Sequence, residues 1–373
     1  MAHAQRCVQA PPPPGSFDAI VLGSGVSTAV PQLAHVLHGR CESASTAVRK
    51  DGLAVCQEAA ENAASKNRRL NVSLLVRYSP EDGSRVRHIM IDAGKTMRQA
   101  ALATLPMYGV KSIDALLLTH GHADAILGMD DLRDLQVTEK VLDEKGQHIG
   151  YRLADAAGPM QIISNKATLD RVREVFPYLH EPPDLIRPGV LRRRIAYTEF
   201  VEVSHDEVAI QIDGLPVTLF PVWHGGTYVS LGFAFGAEGS SYPLVYISDV
   251  KDVPPNTMIW LEAVGQRGIE VFIVDALARQ PHPTHMSLDE ALNLVRKLRP
   301  QRSFFVGMDS CAIGDHDEVN EELAALKASE GLDVQLAHDG LHLSNFVAMR
   351  SAENKRAGSV LPSTDAAKHP RRM

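Results

Sequence analysis

Short apolar runs alternate with polar or glycine-bearing breaks along most of the chain. FDAIVLGSG (17–25), NVSLLVRYS (71–79), HIMIDAG (88–94), ALLLTH (115–120), QIISN (161–165), VAIQIDG (208–214), VTLFPVWH (217–224), VSLGFAFG (229–236), PLVYISD (243–249), FIVDAL (272–277) and SFFVGMD (303–309) each have the length and content of a strand. Several are apolar on both faces, as strands in a sheet covered on both sides must be. Helical spacing appears between them. TMRQAALATLPMYG (96–109) carries an apolar stripe, and KATLDRVREVFPYL (166–179) opens at an asparagine or threonine cap. In SLDEALNLVRKLRP (287–300), Ser287 can cap, Glu290 stands three residues on, and leucines follow at helical spacing. Hairpin-like strand pairs mixed with helices predict an α+β fold: an αββα sandwich of two mixed β-sheets with helices on the outer faces.

No linker or internal repeat divides the chain. Residues 16–348 read as a single domain with insertions or lids near 36–68, 133–150 and 179–199. Tails at 1–15 and 349–373 have the composition of disordered segments, the first stiffened by four prolines. The chain is 45% hydrophobic and 22% charged, which supplies a globular core. Its net charge of −7 argues against a protein that grips long nucleic acid, but leaves room for a small anionic or nucleotide-like substrate. The four cysteines, Cys7, Cys41, Cys56 and Cys311, are too scattered for a disulfide framework, so a reducing, cytoplasmic location is expected. No run approaches the ~20 apolar residues of a membrane span, and the N-terminal stretch lacks an apolar signal core. No membrane partner is expected, and a homodimer stays open.

The chemistry concentrates at strand ends. In THGHAD (119–124), residues two apart on extended backbone face the same way, so His120 and His122 can meet one ion and Asp124 a neighbouring one. His224 closes VTLFPVWH, Asp249 closes PLVYISD, and Asp92 closes HIMIDAG. Each alone is an ordinary polar strand end. Together they repeat one theme, an apolar strand delivering a histidine or aspartate to a common edge, and that repetition points to a metal site.

The order Asp92, THGHAD, His224, Asp249 resembles the metallo-β-lactamase superfamily. The resemblance runs over residues 17–346 and includes LGSGVSTAVP (22–31) and QLAHDGLHL (335–343). Within that superfamily the chain is most similar to the branch of phosphonate-pathway cyclic phosphodiesterases and tRNA 3′-processing endonucleases, through NRRLNVSLLVRY (67–78) and HPTHMSLDEA (282–291). The resemblance implies a hydrolase that cuts phosphodiesters with divalent ions, Zn²⁺ first and Mn²⁺ as the alternative. It implies His120, His122 and His224 on the first ion, Asp249 bridging, and Asp124 on the second. Asp92 would orient the histidine loop, and His285 would give a proton to the leaving oxygen.

Two positions depart from the family pattern. Its usual HxHxDH ends here at Ala125, and its LTHIS segment corresponds to FVGMDS, with Gly307 in the histidine's place. Two ligands of the second ion are missing together. The expected outcomes are one ion with an open position for water, or a second ion completed by His282, His285 or Asp309. Bacterial relatives also carry a structural zinc, which the resemblance places here on His35 (or His38), Cys41, Cys56 and Cys311. Arg192, Arg193 and Arg194, and the pair Arg68 and Arg69, read as solvated surface or as a groove for an anionic substrate. The expected function is a phosphodiesterase that uses a metal-activated water and His285 as general acid. The rivals are a carboxylic ester, thioester or lactone hydrolase on the same fold, and a non-catalytic metal-binding accessory protein.

Overall fold

The computed structural model describes residues 8–39, 52–136, 138–153, 159–179, 198–204 and 206–348. Cys7, Cys41, Arg192, Arg193, Arg194 and the segment 349–373 lie outside them. In chain order the strands are β1 (Ser16–Gly23), β2 (Ser73–Ser79), β3 (Arg87–Ile91), β4 (Ala115–Leu117), β5 (Thr138–Leu142), β6 (His148–Leu153), β7 (Met160–Asn165) and β8 (Thr198–Val203). They continue as β9 (Val208–Ile212), β10 (Leu215–Trp223), β11 (Val229–Phe235), β12 (Tyr242–Ile247), β13 (Ile269–Asp275), β14 (Arg302–Val306), β15 (Val334–Leu336) and β16 (His342–Val347).

Two seven-stranded sheets form, ordered β16-β1-β2-β3-β4-β7-β8 and β15-β14-β13-β12-β11-β10-β9. Both are mixed in the same way. In the first, pairing is antiparallel from β16 to β3 and parallel from β3 to β8. In the second it is antiparallel from β9 to β12 and parallel from β12 to β15. Strands such as β1, β2 and β12 are buried along their whole length because both faces are covered. One face packs sheet on sheet: Phe17, Leu74, Ile91 and Leu117 meet Leu219, Phe233, Tyr246 and Ile273. On the outer face of the second sheet, Phe272 and Phe305 pack with Leu261, Leu292, Val295 and Leu323 from the helices Pro255–Arg267, Leu288–Leu298 and His316–Glu330. On the first sheet, Leu75, Met90 and Ile162 pack with Met97, Ala100, Leu169 and Val172. These layers are the α+β sandwich that the strand and helix spacing predicts.

The caps behave as the sequence suggests. Asn165 accepts the Thr168 amide at the start of the helix Lys166–Val175, and Ser287 and Glu290 form a reciprocal capping box. Other expectations change. The polar stretch near 133–150 includes most of a two-stranded hairpin, β5 with β6, apart from both large sheets. Residues 8–15, expected in a disordered tail, are tied to the body: the Ser79 hydroxyl donates to Pro12 O (2.7 Å) and Arg77 Nη2 to Ala10 O (3.0 Å). Arg69 is no surface cation. It is fully buried and donates to the carbonyls of Asp309 (2.9 Å) and Gly314 (3.3 Å).

Arg77 anchors this strap through a buried two-pronged pair with Asp18, at 3.0 and 2.6 Å, and His342 donates to the same carboxylate at 2.8 Å. Burial resists the charge on Asp18, but the bonds from His342 and Arg77 outweigh it and hold the carboxyl below its usual range. A carboxyl lowered in the folded state stabilises the fold above its unfolded pKa, and that contribution disappears as pH falls through the folded value. Asp18→Asn is therefore expected to lower stability at pH 7 by about 3 kcal/mol in denaturant melts. Its stability should also vary less with pH below about pH 4 than that of the wild type.

Candidate metal centre

The matching direction of the strands explains where the polar residues gather. β3, β4, β10 and β12 end at the edge of the sandwich where Asp92, His120, His224 and Asp249 follow, and β13 ends there at Asp275. Ligand sites in such sheets form beyond the carboxyl ends of parallel strands.

The loop after β3 packs backbone to backbone on the loop after β4. Ala93 N donates to Ala125 O and Gly128 N to Ala93 O, both at 2.7 Å. A Cβ on Gly94 would stand 1.7 Å from Asp124 O, so only glycine allows this approach. The same turn holds Asp92 at φ +57°, and Asp249 is held at +51°, backbone that a non-glycine residue adopts at a cost. Asp92, buried, accepts the Thr119 amide (2.8 Å) and hydroxyl (2.7 Å), and the Thr119 oxygen lies 2.8 Å from His120 Nδ1. Burial pushes the Asp92 carboxyl upward, against the two bonds from Thr119. The two bonds from Thr119 favour the ionised carboxylate. In that state Thr119 donates to Asp92, His120 Nδ1 donates to Thr119, and Nε2 keeps its lone pair. His224 is fixed similarly, its Nδ1 donating to Thr284 O at 2.8 Å.

His120, His122 and His224 converge, with one ring nitrogen of each within 4.8 Å of the others. Asp249 Oδ1 lies 3.9 Å from Nε2 of both His120 and His224, and Asp124 Oδ1 lies 4.0 Å from His120 Nε2. Donors about 2 Å from a shared ion are themselves about 3–4 Å apart, so this set fits one divalent ion. The buried Nε2 of His120 has no hydrogen-bond partner among the described residues. Such an orphan is costly unless something charged or polar meets it. Burial and the neighbouring histidines keep His120 and His122 below the ordinary imidazole range, hence neutral and ready to ligate.

His285 belongs to the same cluster: His224, Asp249 and His285 form a second group within 4.8 Å. Its Nδ1 donates to Asp275 Oδ2 at 2.6 Å, and Asp275 is fully buried at the end of β13. Burial opposes charge on His285, but Asp275 overrides it and lifts the imidazole to about 9. Asp275 escaped the sequence reading, although FIVDAL shows the same apolar strand ending in aspartate as PLVYISD. Thr119, Thr284 and Tyr228 were missed too, because a hydroxyl, a backbone carbonyl or a stacked ring that orients a histidine leaves no spacing signature. Tyr228 stacks on His122, with ring centroids 4.8 Å apart and planes 17° apart.

The two departures from the ligand pattern acquire a physical setting. Ala125 is buried among Ala93, Met97 and Leu118. Gly307 has φ +75°, and a Cβ there would lie 2.1 Å from Asp275 Oδ1. The Asp275 carboxylate thus uses the space that a side chain at 307 would need. Asp309 caps the helix Ser310–Ile313 and accepts the Gln32 amide at 2.6 Å. The His282 ring lies 5.5 Å from that of His285. Elsewhere, His35 Nδ1 is 3.0 Å from Cys56 Sγ, and Cys311 Sγ is 3.6 Å from His35 Nε2, so three of the four expected structural-zinc residues come together. The fourth, Cys41, is among the residues not described.

The β-lactamase superfamily domain matches residues 87–308, more than half of the chain. The chain belongs to this superfamily of metallo-β-lactamase-fold hydrolases. It is similar, at 29% identity and a TM-score of 0.62, to the crystal structure of a new diphosphatase from the PhnP family, over 90% of this chain and all of that one. Zn²⁺-bound PqqB from Methylobacterium extorquens shares the fold, at 17% identity and a TM-score of 0.56, over 88% of this chain and all of that one. An octanoyltransferase of Porphyromonas gingivalis is 24% identical over 329 residues, which cover 88% of this chain and 53% of that protein. The chain therefore spans about half the length of that curated relative. Among the described residues, no helix is long and apolar enough to cross a membrane.

Competition between Gly307 and Asp275 for one space has a measurable outcome. Gly307→Ala is expected to lower stability in denaturant melts by about 2–4 kcal/mol, from positive φ and the forced contact together. The loss should be smaller in an Asp275→Ala background. Additive losses in this cycle would show that the two groups do not compete.

Proposed function

We propose that the chain is a metal-dependent phosphodiesterase in which His285, oriented by Asp275, protonates the leaving oxygen. The observation that carries this reading is the buried Asp275–His285 pair beside the three-histidine cluster. An alkoxide leaves a phosphoryl centre poorly unless a proton reaches it in the transition state, and a fixed imidazolium supplies one. Asp275 keeps that proton on His285 at neutral pH and leaves Nε2 as the donor towards the cluster. The similarity to a diphosphatase across the whole of that chain supports phosphorus rather than carbon as the reacting centre.

His120, His122, His224 and Asp249 would hold the ion, a nitrogen and oxygen donor set suited to Zn²⁺, with Mn²⁺ as the alternative. When bound, it supplies a water acidic at about neutral pH and positive charge against the phosphoryl oxygens. Asp92 and Thr119 keep the His120 lone pair aimed inward, and Thr284 does the same for His224. With alanine at 125 and glycine at 307, the donors favour one tightly held ion over two. We further infer a structural ion on His35, Cys56 and Cys311.

The test compares two phosphodiesters, one with a p-nitrophenolate and one with an alkoxide leaving group. His285→Ala should lower kcat about 10²–10⁴-fold for the alkoxide and much less for the nitrophenolate. Equal losses on both would remove the general-acid role. His120→Ala should abolish both activities and lower the metal retained after dialysis. Hydrolysis of an aryl ester without phosphodiester cleavage would overturn the reading in favour of ester chemistry. Bound metal with no hydrolysis would overturn it in favour of an accessory role.

The structural ion has its own check by elemental analysis. Cys56→Ser is expected to remove one equivalent of zinc and lower thermal stability while leaving turnover per folded molecule unchanged. An unchanged zinc content would dismiss that ion.

A further inference from the structure

The turn after β12 does more than present Asp249, because the residues that follow reach two other parts of the centre. Lys251 N donates to Trp223 O at 2.6 Å and Trp223 N to Asp252 O at 2.8 Å, which laces the turn to the end of β10, one residue before His224. Met286 N donates to Val250 O at 2.8 Å, and Val250 N to Asp275 Oδ2 at 3.3 Å. The backbone next to His224, Asp249 and His285 therefore meets at residues 250–252.

The Lys251 side chain adds a link of its own. Its Nζ donates to Glu290 Oε1 at 2.6 Å, while Glu290 Oε2 accepts the Ser287 amide at 2.7 Å. The capping box of the helix Leu288–Leu298 thus occupies one carboxylate oxygen, and the other is committed to Lys251. Burial resists charge on Glu290, but Lys251 and Ser287 hold its carboxyl below the ordinary range. Exposed ion pairs contribute little, and a pair held within a network is the exception. Here the lysine side chain is only 17% exposed, its backbone is fixed at Trp223, and the cap fixes the carboxylate.

We propose that the Lys251–Glu290 pair is a strut that sets the 282–287 loop against the Asp249 turn, making Lys251 a positioning residue for both His224 and His285. That loop carries Thr284 O, which fixes His224 Nδ1 at 2.8 Å, and His285, whose Nδ1 meets Asp275 at 2.6 Å. Partners that direct a ligand ring act on metal affinity without touching the ion. The effect on His285 rests on the phosphodiesterase reading; the effect on His224 rests on metal binding alone.

The experiment measures, in the full chain, affinity for the zinc that His120→Ala loses, by competition with a chromogenic chelator. It is run beside kcat on the two phosphodiesters and thermal melts. Lys251→Met keeps the aliphatic stem and removes the charge. It is expected to weaken that zinc about tenfold and to lower kcat about tenfold more for the alkoxide than for the nitrophenolate. Lys251→Arg, which keeps a donor for the carboxylate, should restore most of both. Glu290→Gln keeps an oxygen for the Ser287 amide and should reproduce the losses of Lys251→Met. The double variant should lose no more than either single one. Unchanged zinc affinity in Lys251→Met overturns the strut, even where melting falls, and so does an equal loss in Lys251→Arg. Weakened zinc in a chain whose wild type hydrolyses neither diester overturns the phosphodiesterase reading and leaves the strut on His224 standing.

Discussion

The centre depends on how closely two turns approach each other. The backbone after β3 lies against the backbone after β4, and the distance allows no side chain at Gly94. That contact carries two hydrogen bonds and forces Asp92 into left-handed backbone, so its carboxylate turns inward to grip Thr119. Thr119 in turn orients His120. The direction of one imidazole nitrogen therefore traces back through a hydroxyl and a carboxylate to a backbone contact. Side chains positioned this way are held by two interlocked turns set directly on the ends of the strands.

The sandwich supplies the rest by direction. Because both sheets combine antiparallel and parallel halves, strands from each reach the same edge with their carboxyl ends. Facing residues such as Phe17, Phe233 and Tyr246 lock the sheets together below that edge. Burying two or three such side chains, at about 1.5–3 kcal/mol each, offsets the ~1–3 kcal/mol that each of two aspartates in unfavourable backbone costs. The cluster is thus assembled from both sheets and is only as rigid as their shared core.

Much of this was legible in the sequence, and the exceptions have physical causes. The fully buried strands and the helix from Leu288 announced themselves through period and caps. β5, β6 and β8 did not, because strands with polar, partly exposed faces look like loops. Arg69 looked like half of a surface basic pair, yet it is buried and held by carbonyls that come from 240 and more residues away in sequence. The proline-rich segment before β1 looked like tail because its partners, Arg77 and Ser79, lie on the next strand. At the centre, His120, His122, His224, Asp124, Asp249 and His285 do come together. Asp275 was hidden, since one carboxylate at a strand end gains meaning only from the imidazole beside it.

The exchange of space between Gly307 and Asp275 bears on how such a centre can change over time. A histidine at 307 would collide with Asp275, and an alanine or asparagine at 275 would leave His285 without its anion. Neither single replacement gives a histidine at 307 together with an anchored His285. Placing a histidine at 307 without that collision requires both positions to change at once. Once the glycine and the aspartate are paired, each acts as a ratchet that retains the other.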